Sequence, residues 1–150
     1  DELFIEIAAA KELGKRVVLT NGCFDVIHAG HVSYLREAGA LGDLLVVGVN
    51  CDEQVSAQKG EGRPIYCLYE RMEILAELQC VGLVVPFPQP TAEELIQIVK
   101  PDLYVKGGDY SLDEIKEHDV LRELGIEVRV LSERPGRSST DVVAQLKETH

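Results

Sequence analysis

His28 and His31 stand three residues apart with Gly30 between them, directly after the apolar run Arg16-Val-Val-Leu-Thr20. In the first turn of a helix, side chains at i and i+3 share a face, so the two imidazoles point in a common direction and can grip one anion together. Gly30 removes a side chain where a phosphate has to approach, and the exposed N–H groups and positive dipole end of a helix add attraction. Asn21 and Gly22 are expected to let the backbone turn tightly out of the preceding strand. The chemistry is that of a helix-end anion site with imidazoles added. Two histidines at this spacing are also half of a zinc site, but neither His118 nor His150 nor any cysteine pair stands at ligand spacing, so no protein-held metal is expected. Surface histidines without a task are the plainer alternative. Two of the chain's four histidines placed together just after a buried strand argue against it.

Elements must deliver these residues to one place. Residues 2–13 carry apolar positions at helical spacing, and Gly14 ends that helix. Residues 16–20 and 44–49 are continuous apolar runs, as expected of strands covered on both faces, with a helix over residues 31–41 between them. Residues 50–64 read as a polar loop, and Leu68, Met72, Leu75 and Ala76 return at helical spacing. A short strand over 82–86 comes next. Thr91, with Glu94 three residues on, predicts a capping box for a helix through Val99, closed by Pro101. Strands over 103–106 and 127–131 and helices over 111–124 and 138–147 complete the chain. Five strands alternating with helices give right-handed crossovers and an α/β fold, a Rossmann-like open parallel five-stranded sheet with helices on both faces. In such sheets ligands gather at the carboxyl ends of the strands, where strand order switches. The segments after Thr20, Asn50, Lys106 and Leu131 are therefore expected around one crevice.

The 150 residues, 45% of them hydrophobic, suffice for one domain with a real core. A net charge of −11 argues against a nucleic-acid scaffold, yet a few local donors can still hold a small anion. The cysteines lack C-x-x-C spacing, and neither a leader nor an apolar stretch near membrane-spanning length occurs, so a reduced, cytoplasmic protein without a membrane segment is expected. Beginning at Asp1 fits a processed product or the excised half of a longer chain. The two common phosphate loops, G-x-G-x-x-G after the first strand and G-x-x-x-x-G-K-[ST], are missing.

Gly22-Cys-Phe-Asp-Val-Ile-His-Ala-Gly-His31 resembles the H-x-G-H region of the cytidylyltransferase-like superfamily. Lys59-Gly-Glu-Gly-Arg-Pro64, Glu70-Arg-Met72, Val84-Val-Pro-Phe87, Pro101-Asp-Leu-Tyr-Val-Lys-Gly-Gly-Asp-Tyr110 and Pro135-Gly-Arg-Ser-Ser-Thr140 resemble, in order, the adenylyltransferase domain family that makes ADP-heptose from heptose 1-phosphate. The likeness runs from about Val17 to Leu146, so residues 1–150 read as a single nucleotidyltransferase domain. Two departures are visible: residues 111–125 are more acidic and more helical in pattern than in that family, and Tyr66-Cys-Leu68 stands where Asn-Pro is common.

The resemblance implies in-line attack by an acceptor phosphate oxygen on the α-phosphate of ATP, with pyrophosphate leaving and Mg²⁺ carried on the phosphates. His28, His31 and Lys59 are then the catalytic candidates. Asn21, Gly22, Cys23 (through its backbone N–H), Phe24 and Gly30 are candidates for binding the nucleotide. Lys106, Gly107 and Asp109 would lie against base and ribose, and Arg137, Ser138, Ser139 and Thr140 at a helix start would hold the β and γ phosphates. Asp25, Lys59, Arg63 and Arg71 are candidates for the acceptor, a small phosphorylated sugar. A solvated loop lysine, an ordinary Gly-Gly-Asp turn and surface ion pairs for the two arginines are the alternatives. The resemblance also implies a homodimer and, in some members, a sugar kinase fused to the domain or acting beside it. Other readings are a different acceptor or base, as in glycerol-3-phosphate cytidylyltransferase or phosphopantetheine adenylyltransferase, and a non-catalytic nucleotide-binding module.

Overall fold

The computed structural model describes residues 2–108 and 115–131. In chain order the elements are α1 (Glu2–Glu12), β1 (Val17–Gly22), α2 (Ala29–Gly39), β2 (Leu44–Asn50), α3 (Asp52–Lys59), α4 (Leu68–Ala76), β3 (Leu83–Phe87), α5 (Glu93–Val99), β4 (Leu103–Gly107), α6 (His118–Glu123) and β5 (Glu127–Leu131). The five strands form one sheet in the order β3-β2-β1-β4-β5, with every pairing parallel. Strand order reverses between β1 and β4, so their carboxyl ends flank the natural crevice of such a sheet. The expected Rossmann-like sheet is the one observed.

Alternate residues of the central strands feed two cores. Val17, Leu19, Val46 and Tyr104 pack with Ile7 of α1, Leu95, Ile96 and Val99 of α5, and Leu121 of α6. Val18, Leu45, Val47, Leu103 and Val105 pack with Tyr34, Leu35 and Ala38 of α2 and Leu75 of α4. Because both faces of β1 and β2 are covered, their sequences are unbroken apolar runs. Helices thus lie on both faces.

Three expectations change. Residues 52–59 form α3 inside what reads as a loop; the helix buries only Val55, so it has no apolar stripe to show in sequence. It ends at Gly60, whose φ of 98° suits a residue without a side chain. The turn out of β1 is not at Asn21 and Gly22, which continue the strand, but at Phe24, with φ of 49°. A bulky residue adopts that conformation only when its surroundings hold it, and the Phe24 ring is buried. Lastly, α5 takes Ala92 as its N-cap with no side-chain cap, so the Thr91 capping box does not form. Instead Glu94 accepts from Gln89 Nε2 at 2.6 Å, and the Ala92 N–H donates to Glu117 Oε1 at 3.2 Å. The predicted helix over 138–147 and residues 111–114 of the predicted helix over 111–124 lie outside the described residues.

Leu19 is fully buried in the central strand. Leu19→Ala is expected to lower unfolding free energy by about 2–5 kcal/mol in urea titration, the range for a buried leucine whose cavity persists.

Candidate functional site

The start of α2 is built by its own histidines. His28 is the N-cap, with extended backbone, and its Nδ1 accepts the Gly30 N–H at 3.0 Å. His31 is the third helical residue, and its Nδ1 accepts the His28 N–H at 3.3 Å. This is a reciprocal capping box written with imidazoles instead of a hydroxyl and a carboxylate. Because each Nδ1 is an acceptor, a ring that is neutral here carries its proton on Nε2. The rings stack, with centroids 3.9 Å apart and planes 24° from parallel, and the Phe24 ring meets His31 edge-on at 5.5 Å. His31 is pushed down to about 4 by burial, by the charge of His28 and by Lys59, against the opposing pull of the Val26 carbonyl. At neutral pH it is an uncharged donor.

His31 lines a cleft of about 640 Å³ at the carboxyl ends of the strands. Its floor and near wall include Asn21, Gly22, Cys23, Phe24 and Asp25, and α3 supplies Gln54, Gln58 and Lys59. Across the strand switch, Lys106 and Gly107 at the end of β4 and residues 115–117 form the far wall. The segments after Thr20, Asn50 and Lys106 thus meet as expected; the segment after Leu131 lies outside the described residues. Tyr34 forms hydrogen bonds with Thr20 Oγ1 at 2.5 Å and the Val105 carbonyl at 3.2 Å. A Cβ on Gly107 would come within 3.0 Å of the Tyr34 ring, so glycine here keeps β4 close to α2. On the other face, Tyr104 donates its hydroxyl to Asn21 Oδ1.

The acceptor candidates divide. Asp25 is buried and receives Arg63 Nε at 2.5 Å and the N–H groups of Ile65 and Tyr66 at 2.8–2.9 Å. Burial opposes its charge, but these donors outweigh it and hold the carboxyl below its usual range. Arg63 faces the cleft, and its buried Nη2 has no hydrogen-bond partner among the described residues. Arg71 does not line the cleft as an acceptor-binding residue would. It is fully buried and donates to the carbonyls of Tyr66, Cys23 and Asn50 at 2.7–3.0 Å and to Asp52 at 2.7 Å. Its place four residues after Cys67, at the start of α4, gives no sign of this burial.

Lys59, which reads from sequence as a loop residue, is the last residue of α3 and lines the cleft. His28 is not among the lining residues; it stacks on His31. Cys23 lines the cleft with its thiol near Asn50 and Gln58; burial raises its pKa above the ordinary value, so the sulfur is no thiolate nucleophile. Asp109, Arg137, Ser138, Ser139 and Thr140 lie outside the described residues. Gln54, Gln58, Lys116 and Glu117 carry no sequence signal that would single them out. The first two sit on the unrecognised helix, and the other two come after a segment with no motif.

A family model described as Cytidylyltransferase-like matches residues 19–145. The Bifunctional protein HldE of Aeromonas hydrophila is 50% identical over 147 residues, 98% of this chain and 31% of that relative. The protein of the same description from Alcanivorax borkumensis is 48% identical with the same coverage. The chain therefore spans about a third of the length of these curated relatives. A crystal structure of the lipopolysaccharide core biosynthesis protein from Thermoplasma volcanium is similar with a TM-score of 0.66 and 31% identity, covering 81% of this chain and 98% of that one. Among the described residues, no helix is long and apolar enough to cross a membrane.

In the ligand-free protein the His31 ring should titrate near pH 4 in a carbon–proton correlation NMR series; a midpoint near the ordinary ~6.5 would contradict the buried, neutral assignment. Since the unfolded chain takes up this proton first, stability should fall as pH drops from ~6.5 toward the folded-state value, and the His31→Gln protein should lack that component. Arg71→Ala should lower the melting temperature, because three carbonyls and Asp52 lose their donor. Unchanged melting would contradict the bracing role.

Proposed function

The chain belongs to the cytidylyltransferase-like family, and from that premise we propose that it transfers AMP from ATP to D-glycero-D-manno-heptose 1-phosphate, giving ADP-heptose and pyrophosphate. The observation that carries the reading is the imidazole-capped start of α2 opening into the cleft at the strand switch. A phosphate monoester is already an anionic nucleophile and needs no strong base. One of its oxygens attacks the α-phosphorus in line as the bond to the bridging oxygen of pyrophosphate breaks, and that oxygen departs with the electron pair. No bond to the protein forms. The demand on the protein is to bring two anions together and stabilise charge growing on the α-phosphate and leaving group.

The residues meet that demand in separate ways. His31 offers a neutral Nε2–H that neither attracts nor loses a proton near pH 7. His28 holds the helix end and the orientation of the His31 ring. Lys59, exposed at the end of α3, supplies the mobile positive charge that bridges acceptor and α-phosphate. Arg63, fixed by Asp25 with one nitrogen left over, faces the acceptor phosphate. Asp25 serves by placing Arg63 and the 65–66 backbone. Lys106 and Gly107 lie on the nucleotide side, with Asp109 and the 137–140 segment assigned there by family resemblance. Among the described residues no three His, Cys, Asp or Glu side chains gather to hold a metal, and Asp25 is taken by its own donors. Mg²⁺ would be carried on the triphosphate oxygens and water, where it would supply charge neutralisation.

Only about a third of the length of the longer relatives corresponds to this chain, and a sugar kinase that makes the acceptor phosphate is the fitting occupant of the remainder. A homodimer in the cytoplasm completes the proposal.

Pyrophosphate release should be fastest with ATP and heptose 1-phosphate in a matrix that pairs ATP, CTP, UTP and GTP with heptose 1-phosphate, glycerol 3-phosphate and phosphopantetheine. Release with no pair at all would overturn the enzymatic reading in favour of a binding module. His31→Ala and Lys59→Ala should each reduce kcat by a factor on the order of 10² or more, the scale for a donor aimed at transition-state charge. Lys59→Ala should do so without a change in melting temperature, since its side chain is exposed.

A further inference from the structure

Glu117 sits in the turn before α6, is 3% exposed, and lines the cleft opposite His31. Its two oxygens have different fates. Oε1 accepts the N–H of Ala92, the residue that starts α5. Oε2 is buried and has no hydrogen-bond partner among the described residues. A carboxylate oxygen taken out of water without a donor is unfavourable, so the site gains when a donor reaches it. The surroundings limit what that donor can be. The Tyr104 hydroxyl, which feels the charge of Glu117, is already given to Asn21, and no other described residue donates to Oε2. A phosphate group carries no donor at neutral pH and is repelled by the carboxylate. The opposite wall, with the helix end at His31, Lys59 and Arg63, is where phosphates are drawn.

We propose that Glu117 is a specificity-determining residue whose Oε2 accepts a hydrogen bond from a neutral O–H or N–H group of a substrate, so that the donor-bearing end of the ligand is read on this wall while its phosphates lie against α2 and α3. This deepens the nucleotidyl-transfer reading and rests on it. The physical basis of the selectivity is that a ligand lacking the donor leaves the buried oxygen unpaired, a penalty that polar sites use to reject close analogues. The same chemistry can come from an amino group of the base, a ribose hydroxyl, or a hydroxyl of the sugar phosphate. Lys116 beside it is exposed and supplies no partner.

Binding separates this inference from the reaction itself. Dissociation constants are measured by calorimetry for ATP, purine riboside triphosphate, 2′-deoxy-ATP and 3′-deoxy-ATP, and for heptose 1-phosphate against mannose 1-phosphate, with wild-type protein and Glu117→Gln. Glutamine keeps the acceptor for Ala92 and turns a donor inward, so the fold is retained; Glu117→Ala is the second variant. Wild type should bind at least one analogue about tenfold or more weakly than its parent, the lower end of the scale for leaving one buried polar group unpaired. Both variants should shrink that ratio below about threefold, and the analogue concerned identifies the source of the donor. Wild-type protein that binds every analogue within threefold of its parent overturns the proposal without any variant. So do variants that keep the wild-type ratios. Failure of turnover with intact discrimination would count against the reaction assigned above, not against this contact.

Discussion

Arg71 has no exposed surface, yet it donates to the carbonyls of Cys23, Asn50 and Tyr66 and to the carboxylate of Asp52. Those groups belong to the β1–α2 loop, the end of β2, the segment before α4 and the start of α3. A guanidinium presents its donors in a fixed plane, so four acceptors from four segments are held at set distances from one another. Burying such a charge is unfavourable unless its donors are satisfied, and here the acceptors that satisfy it are the backbone of the cleft. The second clamp, Asp25 with Arg63 and the Ile65 and Tyr66 N–H groups, joins the same loop to the same 60s segment. The segments that flank His31 and Lys59 are therefore tied to one another by these bonds.

Within that frame the helix end solves an electrostatic difficulty. In the proposed reaction a chain of net charge −11 has to hold a triphosphate and a sugar phosphate at once. Histidine at the first turn of α2 can accept a backbone N–H with Nδ1 and still donate with Nε2, which lysine and arginine cannot do because they have no acceptor. The capping bonds fix the rings, and burial keeps His31 neutral. A neutral, oriented donor responds to charge that develops during reaction and does not bind the substrate's resting charge as strongly as a cation would. Mobile positive charge is left to Lys59 at the end of α3.

Much of this is legible in the residues. The unbroken apolar runs around Val17 and Val46 announce covered parallel strands, and the strand switch comes from their alternation with helices. His28, Gly30 and His31 declare themselves through spacing. The features that escape are placed by tertiary contact. α3 has no apolar stripe because it buries one side chain, so Asp52 to Lys59 looks like loop. Arg71 reads as a ligand for substrate because a helix-borne arginine gives no hint that carbonyls from three segments, two of them distant in sequence, converge on it. Thr91 looks like a cap, but the α5 N-cap is Ala92, whose N–H goes to Glu117, a residue 25 positions later. Phe24 supplies the left-handed turn that the sequence assigns to Gly22, since burial of its ring against His31 holds the conformation. Local rules name the chemistry; the bracing needs the third dimension.

If the imidazole-capped start of α2 meets the phosphate chain where it is cut, a crystal structure of the protein soaked with α,β-methylene ATP and Mg²⁺ will show it. An α-phosphate oxygen should lie within about 2.7–3.2 Å of His31 Nε2, with Nδ1 still bound to the His28 N–H. Phosphates seated away from α2, with the histidine stack undisturbed and no oxygen within hydrogen-bonding reach of His31, would contradict that assignment.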